Sequence, residues 1–251
     1  MNSSDERSML ERVVGTYATS ESPQDSWIRT LAYRIAEPFI PEGASVLEYG
    51  CCEGFMTSLI AKRVANLTVV DGSQTFIDKA KKSVPSSVNF VHALFEEFEP
   101  DCTYDMIFAT YVLEHVADAI EFLSSARKLL SPRGHMFIVV PNARALSRQM
   151  ARHMGLIEDL YGLTANDINH GHRRVYDQHS FSKDISAAGL SEVSRGGLML
   201  KPFADFQMNK IMSLEIIGKA QVEGMYRLGL EYPDLAGSLF SVCQSEATVI
   251  E

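Results

Sequence analysis

Short apolar runs alternate with amphipathic stretches through the middle of this chain. Apolar runs short enough for buried β-strands lie at 46–47, 67–70, 88–92 and 135–140, with another beginning at 104. Apolar side chains at helical spacing follow several of them, at 56–64, 74–83 and 119–130. This strand–helix order predicts an α/β protein with a doubly wound sheet.

The first strand leads into a turn that carries Gly50 and Gly54, and Glu48 stands at the end of the strand. Glycine allows a positive φ and lets a ligand lie against bare backbone. A carboxylate at this place suits a cationic amine or hydroxyls rather than a pyrophosphate. The second strand also ends on an acid, Asp71, which can accept hydrogen bonds from both hydroxyls of a ribose. Asp71 can equally cap the helix predicted at 74–83, and the two roles are compatible.

The two ends of the chain have a different pattern from the middle. Residues 1–41 are predicted to form amphipathic helices whose main role is to pack over one edge of the sheet. An amphipathic helix is expected at 143–161 and a sixth strand at 190–200. The segment 202–237 is longer than a hairpin needs, so we interpret it as a helical insertion before a last strand at 239–244. Its methionines and aromatic residues suit either a cap over a substrate or a dimer contact.

Composition and charge narrow the function further. The 251 residues suit one domain, with 46% hydrophobic and 22% charged residues. The net charge of −9 lacks the basic footprint of a nucleic-acid binder, so we expect no nucleic-acid partner. Neither a basic leader with an apolar stretch nor a run of transmembrane length is present, which predicts a cytoplasmic protein without a membrane partner. Free thiols without metal-site spacing are expected at Cys51, Cys52, Cys102 and Cys243.

Three phrases together carry a resemblance to a known family. They are S-V-L-E-Y-G-C-C-E-G-F at 45–55, Y-D-M-I-F-A-T-Y-V-L-E-H-V-A-D at 104–118 and L-L-S-P-R-G-H-M-F-I-V-V-P-N at 129–142. With them the chain resembles the class I S-adenosylmethionine-dependent methyltransferases, except that Cys52 stands where their first motif usually has its middle glycine. The dinucleotide fingerprint G-x-G-x-x-G fits less well, because Cys52 and Phe55 would replace its second and third glycines.

The resemblance implies a Rossmann-like, doubly wound sheet of seven strands, six parallel and one antiparallel, in a single domain over 1–251. Its parts would be an N-terminal helical lid at 1–41, a cofactor-binding core at 45–142, a substrate-side loop with helices and the sixth strand at 143–200, a helical cap at 202–237 and the last strand at 239–244. The implied cofactor is S-adenosylmethionine, and the implied product is S-adenosylhomocysteine.

The resemblance also assigns cofactor contacts by position. Glu48 would hold the methionine amine, Asp71 the ribose, and Thr110 with Tyr111 the reacting sulfonium end. The adenine would lie among Ala93, Leu94 and Phe95, although Leu94 and Phe95 are equally well explained as plain core. The remaining expected contacts are Tyr17 in the lid, Gly50, Cys51, Cys52 and Gly54 in the turn, and Gly72 and Ser73 after the second strand.

Three histidines are candidates for acid–base chemistry. His115, in the L-E-H phrase, is either a general base near the transferred methyl group or a structural tie in its turn. His170 and His172 belong to N-H-G-H-R-R-V-Y-D at 169–177, which can return across the substrate mouth. One of them could face the substrate as a base or an anion contact. Nearby acids raise the alternative of a metal site, but the spacing matches no standard site, so we expect no metal.

We therefore expect an enzyme that transfers a methyl group to an oxygen or nitrogen, less readily to a carbon, of a small molecule. A carboxylate nucleophile would need no base, whereas a hydroxyl or an ammonium would. The rival interpretations are a non-catalytic cofactor- or partner-binding module of the same fold and a nucleotide-dependent oxidoreductase. The acidic charge disfavours a nucleic-acid methyltransferase. A homodimer through the terminal or insertion helices is considered, without a residue pattern that decides it.

Overall fold

The computed structural model describes residues 3–16 and 22–246. Its strands are β1 Ser45–Tyr49, β2 Asn66–Asp71, β3 Asn89–His92, β4 Tyr104–Thr110, β5 Leu130–Pro141, β6 Leu190–Leu198 and β7 Ser238–Ser245. Its α-helices are α1 Ser3–Val13, α2 Pro23–Ala36, α3 Phe55–Ala61, α4 Gln74–Ala80, α5 Ala119–Lys128, α6 Leu146–His153, α7 Ala165–Asn169, α8 Gln178–Ala187, α9 Asp205–Ser213 and α10 Lys219–Glu231.

The strands form one seven-stranded sheet in the order β3-β2-β1-β4-β5-β7-β6. The pairs β1–β2, β1–β4, β2–β3 and β4–β5 are parallel. Because β7 runs antiparallel to both β5 and β6, six strands point one way and one points the other. The Rossmann-like fold predicted from the sequence is thereby confirmed. The strand order reverses between β1 and β4, and ligands of such sheets bind outside the carboxyl ends of the strands at this point.

Helices cover both faces of the sheet, because strands that are buried on both sides need two apolar layers. Val46 and Met106 pack on the face covered by α2, α3 and α4. Their chain neighbours Leu47 and Ile107 pack on the opposite face, with α5 and α8. This burial on both faces explains why consecutive residues are apolar at 46–47 in β1 and at 106–109 in β4.

Polar caps fix where the helices near the carboxyl edge of the sheet begin. Ser73, not Asp71, caps α4, because its hydroxyl accepts the Phe76 N–H at 3.2 Å. Asp118 caps α5 by accepting the Glu121 N–H at 2.9 Å, as the sequence predicts. The Asp71 carboxylate is therefore not used as a helix cap.

Two segments differ from their predicted form. The stretch 131–134, between the helical pattern predicted at 119–130 and the strand predicted at 135–140, lies inside β5, where the pairing with β4 shifts register. The extra residues form a bulge in that strand. The amphipathic pattern at 143–161 yields only the short helix α6, because Gly155 with a φ of +73° follows it closely.

The insertion at 202–237 carries α9 and α10, which pack against β6 and α2. The Gln24 side-chain amide donates to Asp205 at 2.7 Å, and Asn209 accepts the Ser22 hydroxyl at 2.9 Å. These bonds join the helix that precedes the sheet to the insertion near its last strand. Within residues 3–16 and 22–246, every helix is too short or too polar to span a lipid bilayer.

Candidate active site

A cavity of about 130 Å³ opens at the carboxyl edge of the sheet. Helix α1 borders it through Glu6, Leu10 and Val13, and α2 contributes Arg29. The other lining residues follow the strands: Gly50 and Cys52, then Asp71, Gly72 and Phe76, then Leu94, Phe95 and Glu96, then Thr110, Tyr111, Val112, His115 and Val116. The structure thus brings nine of the residues predicted from the sequence onto one cavity.

Left-handed backbone shapes the turn after β1. Gly50 has a φ of +77° and Gly54 a φ of +86°. A Cβ atom at Gly54 would lie 2.9 Å from the Cα atom of Ala80, so only glycine fits there without moving α4. Cys52 also has a positive φ, +47°, which strains a residue that carries a side chain. The residue that replaces the middle glycine of the motif therefore borders the cavity in a strained conformation.

Asp71 joins this turn to the second strand. One carboxyl oxygen accepts the Cys51 N–H at 2.9 Å, and the other accepts the Ser73 N–H at 2.8 Å. Burial raises the pKa of Asp71, while the backbone donors favour its ionised form. The oxygen that accepts the Cys51 N–H also accepts a hydrogen bond from the Cys51 thiol at 3.4 Å, whereas the other oxygen keeps a second lone pair, and Asp71 borders the cavity. The carboxylate can therefore organise the turn and still accept hydrogen bonds from a ligand.

Glu48 is fully buried and does not border the cavity. Neither of its carboxyl oxygens has a hydrogen-bond partner among the described residues. Burial raises the pKa of Glu48 to about 8, against the nearby Thr57 hydroxyl, which is not placed for a hydrogen bond of good geometry, and against the positive charge of Arg29. An unpartnered buried carboxyl is costly and is explained when a ligand supplies the missing partner.

Apolar side chains border the cavity after β3. Leu94 is buried, and Phe95 packs edge-on against Tyr49 with ring centroids 5.2 Å apart. Ala93 does not border the cavity, and its N–H donates to the Asp71 carbonyl at 3.2 Å. Leu94 and Phe95 can therefore contact a flat apolar ring while they also pack with the core.

Tyr111, directly after β4, is held by contacts on two sides. Its φ is +58°, and its hydroxyl hydrogen-bonds with the Ser238 hydroxyl at 2.9 Å. The guanidinium carbon of Arg29 lies 5.8 Å from the centroid of the tyrosine ring. Burial raises the pKa of Tyr111, so the phenol stays neutral. Thr110, the residue before it, is buried and borders the same cavity.

Arg29 is a site residue that the sequence analysis missed. The sequence predicts packing helices in this region, and the resemblance implies a lid with Tyr17 as its contact, but neither points to Arg29, which follows Trp27 and Ile28. In the structure Arg29 borders the cavity, and among the described lining residues it is the one lysine or arginine. The signal in the sequence is weak: a single cation next to the apolar stripe of an amphipathic helix.

The three candidate histidines differ in their access to the cavity. His115 borders it, and burial together with the nearby His172 lowers the pKa of His115 to about 3. His172 lies behind His115, with ring centroids 4.8 Å apart. Nδ1 of His170 is 2.8 Å from the Asn166 carbonyl oxygen. Neither His170 nor His172 borders the cavity, so His115 is the histidine placed to touch a ligand there.

Two arginines fix the segment 169–177. Arg174 donates to three backbone carbonyls of the turn after β4, those of Leu113 at 2.7 Å, Val116 at 2.6 Å and Ala117 at 2.7 Å. Arg173 donates to both carboxyl oxygens of Glu6 on α1, at 2.7 and 2.8 Å. Both arginines therefore have structural partners within the chain.

The remaining predicted contacts do not form the cavity wall. Cys51, Gly54 and Ser73 support the turn and the start of α4 without bordering the cavity. Tyr17 lies outside the residues that the structure describes.

Three acids (Glu6, Asp71 and Glu96), an apolar wall and one arginine border the cavity and suit a nucleoside with a charged tail. A family model described as "Methyltransferase domain" matches residues 23–194, more than half of the chain. The chain belongs to the methyltransferase domain family. It is an S-adenosylmethionine-dependent methyltransferase, which confirms the function class and the cofactor that the sequence motifs imply.

Curated proteins similar to this methyltransferase include ubiquinone biosynthesis O-methyltransferases. It is 25% identical to that of Rhizobium rhizogenes over 188 residues, which cover 73% of this chain and 75% of the relative. It is 28% identical to that of Mesorhizobium japonicum over 176 residues, which cover 68% of this chain and 69% of the relative.

Solved structures share the fold at lower identity. The N-methyltransferase NodS from Bradyrhizobium japonicum, in complex with S-adenosyl-L-homocysteine, superimposes with a TM-score of 0.63 at 16% identity, over 96% of this chain and 99% of that chain. The CcbJ methyltransferase from Streptomyces caelestis gives a TM-score of 0.62 at 16% identity, with the same coverage of 96% and 99%. At such identities the likeness concerns the fold alone.

Proposed function

We propose that this methyltransferase transfers a methyl group from S-adenosylmethionine to a hydroxyl oxygen or an amine nitrogen of a small molecule, with carbon as a weaker candidate. The observation that carries the proposal is the single cavity that links Asp71 to Thr110, Tyr111 and His115. Because β1 lies between β2 and β4, a nucleoside held at Asp71 would extend across the turn after β1 toward the residues that follow β4.

The chain offers a partner for each part of the cofactor. Asp71 would accept hydrogen bonds from the ribose hydroxyls, and Leu94 with Phe95 would pack against the adenine. The methionine end is a zwitterion. The buried Glu48 carboxyl would bind the amine once it has released its proton, and Arg29, which borders the cavity, would bind the carboxylate. When bound, the cofactor supplies a methyl group that is already activated on a sulfonium.

The protein's own task is then alignment, exclusion of water and removal of a proton. Leu10 and Val13 of α1 give the cavity an apolar side that keeps water out. The pKa of His115, lowered to about 3, keeps its imidazole neutral at physiological pH. A neutral imidazole can accept a proton from a substrate that loses one.

A hydroxyl is the first nucleophile to test. The curated relatives named above are O-methyltransferases, whereas the likeness to NodS carries no weight for nitrogen at 16% identity. Val112 and Val116 border the cavity beside His115, which suits an aromatic ring that carries the hydroxyl. The net charge of −9 continues to disfavour a nucleic-acid substrate, and the homodimer stays a prediction.

The test combines binding with turnover. Calorimetric titration with S-adenosylmethionine should show that Asp71→Ala raises the dissociation constant about tenfold or more, the loss expected for charge-assisted hydrogen bonds. Asp78→Ala, an exposed acid on α4, is the matched control and should bind normally. A screen of phenols, other alcohols and amines with radiolabelled cofactor should then yield a methylated product. Tight binding without any turnover would favour a non-catalytic module instead.

A further inference from the structure

Behind the cavity, three titratable side chains come together: Glu114, His115 and His172. One nitrogen or oxygen atom of each lies within 4.8 Å of the others. Glu114 is 1% exposed, and neither of its carboxyl oxygens has a hydrogen-bond partner among the described residues. A buried carboxyl that the fold itself does not use is a candidate for a functional role.

Backbone contacts hold this cluster together. Glu114 and His115 lie in the turn after β4, and His172 lies between α7 and α8. The Arg173 N–H donates to the Glu114 carbonyl at 2.7 Å, which joins the two segments beside the cluster. Arg174 adds its hydrogen bonds to the same turn. The three side chains are therefore neighbours because of the fold rather than because of flexible side-chain positions.

Charged groups from several elements face the cluster. Asp167 of α7 lies 3.4 Å from Nδ1 of His172 and is itself paired with Arg148 of α6 at 3.1 Å. The other charged or titratable groups that act on it are Arg29 of α2, Glu6 of α1 through its pair with Arg173, the phenols of Tyr111 and Tyr176, and His170, Arg173 and Arg174 of the segment 169–177.

These surroundings separate the pKa values of the two groups nearest the cavity. Burial raises the pKa of Glu114 to about 7, and His172 opposes that rise. Burial, with His172 acting in the same direction, lowers the pKa of His115 to about 3. Glu114 therefore holds a proton more tightly than His115 does, so a transfer from His115 to Glu114 is downhill.

We propose that Glu114 is the final acceptor of the proton that a hydroxyl substrate loses during methyl transfer, and that His115 contacts the substrate and passes the proton inward. This inference rests on the proposed function. His172, whose Nδ1 lies 3.4 Å from Asp167 and whose ring packs edge-on against that of His115, is a positioning residue. A separation of up to 4.8 Å is short enough for one water molecule to bridge.

Methyl transfer to the hydroxyl breaks two bonds and moves one proton. The substrate O–H bond breaks, and the oxygen forms its new bond to the methyl carbon. The C–S bond breaks with its electron pair on sulfur. The proton binds a ring nitrogen of His115, a proton leaves that ring for a carboxyl oxygen of Glu114, and His115 is neutral again. Glu114 returns its proton to solvent when the product leaves.

A carbon-13 NMR titration of glutamate carboxyl groups tests the inference without a known substrate. The sample is the wild-type protein with S-adenosylhomocysteine, and Glu114→Gln identifies the Glu114 signal. Glu99→Gln, at an exposed position, is the matched control for the assignment. The Glu114 carboxyl should titrate near the pKa of about 7. A midpoint below about 5, as for an ordinary glutamate, would overturn the inference.

Turnover of the hydroxyl compound found in the radiolabel screen gives the second readout. Wild-type kcat should rise with pH through the Glu114 pKa of about 7. Glu114→Gln should lose this rise and lower kcat roughly 100-fold, as expected for a lost proton acceptor, with an unchanged dissociation constant for S-adenosylmethionine. Glu99→Gln should behave as wild type. Full turnover in Glu114→Gln would defeat the inference, whereas a wild-type protein that methylates none of the compounds would count against the proposed function.

Discussion

The Glu48→Gln variant separates the stability of the cofactor-free protein from its affinity for the cofactor. Glu48 is fully buried, and its pKa is raised to about 8, so most folded molecules carry it protonated at pH 7. In the unfolded chain the same carboxyl is ionised at that pH. Folding must therefore take up about one proton at this residue, and this uptake opposes folding at neutral pH.

Linkage gives the magnitude. An acid whose pKa rises on folding costs nothing below its unfolded value of 4.5, and the cost grows as the pH rises toward the folded value of about 8. At pH 7 the cost is on the order of 3 kcal/mol, since each pH unit adds about 1.4 kcal/mol. Glutamine removes this cost but buries an amide in the same place. We therefore expect a net gain of about 1–2 kcal/mol at pH 7 and no pH-linked gain near pH 4.5.

Urea unfolding without cofactor, at pH 5 and at pH 7.5, measures the effect. The advantage of Glu48→Gln over wild type should be larger at the higher pH. Glu42→Gln removes the same charge at an exposed position and should show no such dependence. An advantage of equal size at both pH values would refute the assignment of an uncompensated buried carboxyl.

Glu48→Gln should bind S-adenosylmethionine more weakly than wild type, although it is more stable without the cofactor. If the methionine amine binds the Glu48 carboxylate, binding must first release the proton that Glu48 carries at pH 7. Calorimetry in two buffers of different ionisation enthalpy should then report close to one proton released by wild type and about none by Glu48→Gln. The variant should also bind about tenfold more weakly or worse. Equal proton release by both proteins would show that Glu48 does not bind the methionine amine.

Three further predictions concern the same site. Cys52→Gly relieves a φ of +47° and should raise the free energy of unfolding in urea by about 0.5–1 kcal/mol. The control Cys102→Gly has no positive φ to relieve and should lower it. A change of the same sign in both variants would contradict backbone strain at Cys52. Arg29→Met should raise the dissociation constant for S-adenosylmethionine about tenfold, while the exposed control Arg133→Met should leave it unchanged. Equal dissociation constants for the two variants would show that Arg29 does not bind the carboxylate of the cofactor. Dialysis against a chelator should leave turnover intact, and a loss restored by added metal would contradict the expected metal-free reaction.

Local patterns were enough to predict the sheet and the acids at its edge. An apolar run that ends on Asp71 and a glycine turn after Glu48 both depend on neighbours within a few residues, which a sequence displays directly. The antiparallel last strand needed the family resemblance, because periodicity does not reveal the direction of a strand. The length of α6 was overestimated, since apolar spacing continues past the glycine that ends the helix.

Contacts between distant segments could not be predicted in the same way. Arg29 reaches the cavity only because α2 packs beside the carboxyl edge of the sheet, and its sequence neighbours Ile28 and Thr30 give no sign of a ligand contact. His172 meets Glu114 because arginines fix one segment to another, which no spacing in the chain reveals. The bonds from Asp71 to the Cys51 and Ser73 N–H groups likewise depend on how the turn folds back.

A crystal structure of the protein with S-adenosylhomocysteine tests the central claim most directly. We expect the nucleoside in the cavity bordered by α1, with the ribose hydroxyls within hydrogen-bond distance of Asp71 and the amino-acid end between Glu48 and Arg29. A ligand bound elsewhere, or bound in this cavity with its ribose away from Asp71, would contradict it.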